Sequence, residues 1–239
     1  MMARPAHRVP FSVMLAPESA AGPALRNDGE GSMSDRMVMV LDDDAFVRHG
    51  LEHLLEAEGY AVRAFEDAAD FLAQPAPLVP ACLILDMQMP QQDGMSVLQH
   101  MTVRHPGLPV IFLTGHGSIP LSVAAMKAGA NEFLTKPVDP DALLAAVGEA
   151  LDRDAARIGQ RRDADELARR HAQLTPRERE VFALAIGGLL NKQIADEMGI
   201  SEIMAKVHKR NLMQKMQTRT LAELVRMAEK LGIESARSR

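Results

Sequence analysis

The stretch VMVLDDDAFVRHG, Val38 to Gly50, sets three consecutive carboxylates between a short apolar run and a segment with helical spacing. Adjacent carboxylates repel at neutral pH, so either water screens them or a cation sits among them. Which of the two holds depends on what the rest of the chain brings to the same place.

Outward from this stretch, short apolar runs alternate with amphipathic segments, the pattern of a parallel sheet wrapped by helices. Five such units are predicted, with strands over Met37–Leu41, Ala61–Ala64, Ala81–Leu85, Pro109–Leu113 and Asn131–Leu134. The third and fourth runs are apolar throughout, as central strands covered on both faces are. Helices follow from the spacing of Val47, Leu51, Leu54 and Leu55, of Val97, Leu98 and Met101, and of Leu143, Leu144, Val147 and Leu151. The expected fold class is a doubly wound α/β domain of five βα units over residues 37–151. Residues 152–172 are polar and helix-forming, a solvated linker helix, and residues 1–36 lack any periodicity and read as a disordered extension. Met33 is an alternative start.

From residue 173 to 239 the pattern is helical. Thr175-Pro-Arg-Glu178 is a capping box with proline at the first helical position. Asn191 opens a short helix stopped by Gly199, Ser201 caps the next, and Thr220-Leu-Ala-Glu223 is a second capping box. Four short helices with a tight turn between the second and third make a helix-turn-helix candidate.

The 239 residues carry a net charge of -5, unevenly placed. Residues 1–169 hold 14 Lys/Arg and 24 Asp/Glu, whereas residues 170–239 hold 13 and 8, so an acidic front precedes a basic back suited to nucleic acid. No run approaches the roughly 18 apolar residues of a spanning helix, and Val9–Ala16 is too short and proline-interrupted for a signal peptide, so a cytoplasmic location without membrane contact is expected. Cys82 is the only cysteine, which excludes an internal disulfide and a cysteine metal site, and its apolar neighbours mark it as a buried small hydrophobe. His116 is assigned to structure.

Ligands bind at the carboxyl ends of parallel strands. The first strand ends in Asp42 and Asp43, the third in Asp86, the fourth in Thr114, and the fifth is soon followed by Lys136-Pro137. Three acids, a hydroxyl and an ammonium on one rim suit a divalent cation together with a transferred phosphoryl group. Asp44 is left to favour the N-terminus of the following helix.

These residues, in VLDDD, LILDMQMPQQDG, FLTGHG and EFLTKPVD, resemble the receiver domain of two-component response regulators, whose fold is flavodoxin-like. The resemblance implies that Asp86 accepts a phosphoryl group from a histidine kinase. It further implies that Asp42, Asp43, Asp86 and the backbone carbonyl of Gln88 hold Mg²⁺, and that Thr114 and Lys136 bind phosphoryl oxygens. Lys136-Pro137 would be cis, Phe133 would be the switch aromatic, and the protein would take one phosphoryl group rather than turn over as an enzyme. A rival is the haloacid-dehalogenase-type phosphatase, with Asp42 as nucleophile and Asp44 as general acid/base, which leaves Asp86 unexplained.

The segments LTPREREV, LLNKQIADEMGIS and KVHKRNLMQKM resemble the LuxR/FixJ-type DNA-binding domain. Spacing turns Ala205, His208, Leu212 and Met216 inward and Lys206, Val207 and Arg210 outward. The resemblance places the last three at base edges of double-stranded DNA, and Asn191, Lys192 and Lys209 suit phosphates. Where the family usually carries Thr-Val this chain has Met204-Ala205. TGHGSIPLSVAAMKAGANEFLTKP is most similar to the FixJ-like branch, which implies a phosphorylation-driven homodimer through the fourth helix and fifth strand, with Ile119, Leu121 and Phe133 as candidates. A transcription regulator of this kind has RNA polymerase as a further partner. The alternative within the same fold is a constitutive DNA-binding regulator with a vestigial receiver.

Overall fold

The computed structural model describes residues 35–90, 92–115 and 119–236. The extension expected over 1–36 therefore lies outside the described residues except for Asp35 and Arg36, as do Met33 and His116. The chain divides into two compact units, one ending at Ile158 and one beginning at Gly159.

In the first unit, β1 (Met37–Leu41), β2 (Ala61–Phe65), β3 (Ala81–Asp86), β4 (Val110–Thr114) and β5 (Glu132–Thr135) form one parallel sheet in the order β2-β1-β3-β4-β5. Helices α1 (Ala45–Ala57), α2 (Ala68–Leu72), α3 (Gly94–Arg104), α4 (Ile119–Lys127) and α5 (Pro140–Ala172) connect and cover it. Strand alternation divides the core between the two faces of the sheet. Met39, Leu41, Leu83, Leu85 and Phe112 pack against Phe71, Val97, Leu98 and Met101 of α2 and α3. Val40, Cys82, Ile84 and Leu113 pack against Leu51 and Leu55 of α1 and Leu143, Val147 and Leu151 of α5. Each such fully buried leucine or phenylalanine contributes about 1.5–3 kcal/mol. Burial pushes the Cys82 thiol up to about 12, which keeps it an inert core residue.

Strand direction reverses its lateral course between β1 and β3, and the crevice outside the carboxyl ends of those two strands is where such a sheet accepts a ligand. β3 runs one residue further than expected, so Asp86 belongs to the strand and is held by its pairing with Leu113 of β4.

Residues 152–172 are helical and largely exposed, as expected of a solvated linker helix, but they are not a separate element. They continue the helix begun at Pro140, Asp154 is buried, and Leu167 enters the core of the second unit. The physical reason lies in Asp154, whose carboxylate accepts from the Ala81 backbone N–H at 3.0 Å and from Arg157 Nε at 2.8 Å. A polar residue thus occupies a core position because the first N–H of β3 needs an acceptor.

The second unit contains α6 (Pro176–Ile186), α7 (Asn191–Met198), α8 (Glu202–Lys215) and α9 (Leu221–Leu231) around Val181, Phe182, Ile194, Ala205, Leu212, Met216 and Leu224. The capping box at Thr175 is present in both directions, and Ser201 and Thr220 cap α8 and α9. Gly199 ends α7 at φ 64°, the left-handed conformation that the tight turn into α8 requires. Among the described residues no helix is long and apolar enough to cross a membrane.

Glu178, 3% exposed, joins the start of α6 to α8: it accepts from the Thr175 backbone N–H at 2.8 Å and pairs with Lys215 Nζ of α8 at 2.7 Å. Burial alone would raise its carboxyl, but Lys215 and Thr175 outweigh burial and hold it below the ordinary value. Its contribution is therefore full above the ordinary glutamate range and is lost as pH falls through the lowered value. The E178Q variant is expected to lose about 2 kcal/mol in denaturant unfolding of the helical domain at pH 7, less than a wholly buried pair because Lys215 is partly solvated. The deficit should shrink as pH falls below about 4.

Candidate functional site

All five parallel strands end at one rim, and residues from four of those ends lie there together. Asp42 follows β1 and is 1% exposed, Asp86 closes β3 at 7%, and Thr114 closes β4 fully buried. The carboxylates of Asp42, Asp43 and Asp86 each bring an oxygen within 4.8 Å of the others. Lys136, directly after β5, reaches across them: its Nζ lies 2.6 Å from Asp42 Oδ2 and 3.2 Å from Asp86 Oδ2. Its own N–H donates to the Thr114 carbonyl at 2.7 Å, so the turn that carries the lysine is fixed to the end of β4. Lys136-Pro137 is cis, as the resemblance implied.

Electrostatics in this cluster is unbalanced. Three carboxylates face one ammonium, and burial together with the charge of Asp86 raises the Asp42 carboxyl in spite of Lys136. Burial would depress the Lys136 ammonium, yet Asp42 and Asp86 outweigh it and hold the group above its ordinary value. Two buried acids and one exposed acid with a net surplus of negative charge form a donor set of hard oxygens, which fits a divalent metal ion. Asp43 also opens onto a hollow lined by Glu66, Asp67 and Asp70, whose summed field draws cations toward the rim.

The three adjacent aspartates divide. Asp42 accepts from the Asp44 N–H at 2.9 Å through Oδ1 and from Lys136 through Oδ2. Asp43 is exposed. Asp44 caps α1, its Oδ1 accepting from the Phe46 N–H at 2.9 Å, which is the helix-terminal role expected of it. A phosphatase reading needs Asp44 as a free acid/base and leaves Asp86 idle; the capping bond and the position of Asp86 in the cluster both argue against it.

Gln88 is exposed, and its N–H reaches Asp86 Oδ1 at 3.3 Å. Phe133 is half-buried in β5, beside Phe112 in register, and packs on the core. Two contributors escaped the sequence reading. Arg48 donates to the Asp42 carbonyl at 2.7 Å and to Glu66 at 3.1 Å, tying the acid loop to α1 and to the end of β2. Gly94 lies behind Asp86, where a Cβ would come within 2.6 Å of the Asp86 carbonyl oxygen. The DG of LILDMQMPQQDG was the available signal for the second; an arginine one turn into a helix gives none for the first.

In the second unit, Ala205, Leu212 and Met216 are buried and His208 is half-buried, which leaves Lys206 and Arg210 exposed and Val207 half-buried on the other side of α8. Lys206 pairs with Glu202 at 2.9 Å. Lys192 is exposed at the start of α7, Lys209 is half-buried, and the Asn191 side-chain oxygen is buried without a partner. The structure thus brings the phosphoryl-binding candidates together on one rim and the DNA-binding candidates onto α7 and α8.

Because Arg48 supports the loop that carries two of the acids, R48A is expected to weaken the affinity of the acid cluster for a divalent cation roughly tenfold, read by calorimetric titration, while R48K retains part of it.

A family model described as the response regulator receiver domain matches residues 38–148, and one of bacterial regulatory proteins of the luxR family matches residues 172–228. Transcriptional regulatory protein FixJ of Azorhizobium caulinodans is 44% identical over 199 residues, covering 83% of this chain and 94% of that protein. Tetrathionate response regulatory protein TtrR of Salmonella typhimurium is 41% identical over 204 residues, covering 84% and 96%. Among solved structures, the response regulator StyR superposes with a TM-score of 0.75 at 46% identity over 82% of this chain and 98% of that one. Full-length FixJ from B. japonicum gives 0.50 at 38% identity over 83% and 98%. The chain is a two-component response regulator of the FixJ type, a receiver domain followed by a LuxR-type DNA-binding domain.

Proposed function

We propose that the chain is a transcription regulator switched by phosphorylation of Asp86. The observation that carries this reading is the Lys136 ammonium spanning Asp42 and Asp86 at 2.6 and 3.2 Å within a cluster of three carboxylates. An Asp86 oxygen attacks the phosphorus of a phosphohistidine on the cognate kinase, the phosphorus–nitrogen bond breaks, and the imidazole leaves with the electron pair. Asp42, Asp43, Asp86 and the Gln88 carbonyl would hold Mg²⁺, which supplies charge neutralisation for the transferred group. Lys136 then exchanges its contact with Asp86 for one with a phosphoryl oxygen, and the Thr114 hydroxyl takes another. The acceptor is consumed once per event, so this is not turnover. Phe133, between Phe112 and the surface, follows the movement of Thr114 as the switch residue.

Dimerisation is the output of the receiver in this reading. Leu121 and Phe133 are half-buried against the core, whereas Ile119, Val123 and Met126 are 81%, 46% and 47% exposed at the spacing of one helical stripe on α4. Such a stripe suits a second copy of the chain. Paired DNA-binding domains then hold two half-sites of double-stranded DNA in the cytoplasm, with Lys206, Val207 and Arg210 at bases and Asn191, Lys192 and Lys209 at phosphates, and RNA polymerase as the downstream partner.

Treatment with acetyl phosphate and Mg²⁺ is expected to add one phosphoryl mass to the wild type and none to D86N, with DNA affinity rising only in the wild type. Unchanged regulation by D86N in cells would favour the constitutive alternative. V123E is expected to accept the phosphoryl group normally yet remain a monomer by light scattering after beryllofluoride treatment, where the wild type doubles its mass.

A further inference from the structure

Ile203 is 74% exposed, the second residue of α8 and capped in place by Ser201. Successive helical residues turn by about 100°, which sets Ile203 on the circumference between Lys206 and Val207 and beside Arg210. The same arithmetic puts it opposite Leu212, Ala205 and Met216, all of them fully buried. Packing cannot account for an isoleucine there, and neither can helix propensity, since a β-branched residue is a poor choice on a solvated helix surface. Charged groups flank it on one side, where Glu202 and Lys206 form an ion pair one turn apart on the same helix end. A solvated aliphatic side chain at the centre of a basic face, in the first turn of the second helix of a helix-turn-helix, stands where the N-terminal residues of such a helix meet base edges.

We propose that Ile203 is a specificity-determining residue that reads the 5-methyl group of a thymine in the major groove. The inference rests on α8 being the base-reading helix and adds to that reading an apolar contact separate from Lys206, Val207 and Arg210. Thymine is the base that presents a methyl group in the major groove, and aliphatic side chains are the groups that recognise it. Neither charge nor hydrogen bonding enters, so the contact contributes discrimination without changing the number of phosphates neutralised.

The test uses the full-length chain, phosphorylated with acetyl phosphate, and the duplex it prefers from a randomised pool. Each thymine of that duplex is replaced in turn by deoxyuridine, which removes the methyl group and nothing else. Wild type is expected to lose about fourfold in affinity at one position of each half-site. I203A, which loses the contact at both half-sites, is expected to bind the thymine duplex about sixteenfold more weakly and to lose nothing further at either position, whereas R210A keeps the full deoxyuridine penalty. I203A also retains wild-type affinity for random-sequence DNA, which separates a lost base contact from a damaged fold. An I203A protein that shows the same deoxyuridine penalties as wild type overturns the proposal, as does a selectively bound duplex with no penalty at any thymine. Absence of any sequence preference in the phosphorylated wild type would instead overturn the reading of α8 itself, and this inference with it.

Discussion

The Lys136 ammonium lying between Asp42 and Asp86 is the contact around which the receiver is organised. It is made across three strands, from the residue after β5 to the ends of β1 and β3, so it exists only if the whole sheet is in register. A one-residue slip of any of these strands would turn its acid or its lysine toward the other face. The apolar faces enforce that register: Leu41, Leu85 and Phe112 belong to one core and Val40, Ile84 and Leu113 to the other. Site geometry and packing are therefore the same constraint read at the ends and in the middles of the strands.

The sequence was most legible where chemistry and periodicity coincide. Strand ends could be located within about a residue because each apolar run stops at a polar group with a reason to face solvent or a ligand. Capping residues made the helical half readable, since Thr175, Ser201 and Thr220 each accept the backbone bond expected of them. What remained hidden were polar residues acting as structure. Asp154 satisfies the first N–H of β3 and Arg48 holds the Asp42 carbonyl, and neither is distinguishable by composition from a solvated charge. Long-range hydrogen bonds of this kind leave no periodic trace, because only one side chain in each pair is special.

The two domains balance charge in different ways. At the receiver rim the surplus is negative and buried, which makes a cation and then a phosphoryl group tolerable in succession. On α8 the surplus is positive and exposed, with Lys206 held meanwhile by Glu202. In the proposed complex a base edge that engages Lys206 competes with the Glu202 carboxylate already paired with it, so a wrong base is met by an acidic group that it cannot replace.

Gly94 carries a last implication. The carbonyl oxygen of Asp86, a ring carbon of Phe112 and the Met87 Cα already fill the volume that any side chain at this position would need, at 2.6, 2.9 and 3.1 Å. The wall behind the acceptor is thus built from backbone and from a core ring, with no flexible atom to give way. The start of α3 therefore packs directly against the backbone of Asp86, closer than any residue with a Cβ could come. The missing methyl group at the first residue of α3 thereby lets the end of β3 keep its place, and even alanine at that position would force backbone to shift.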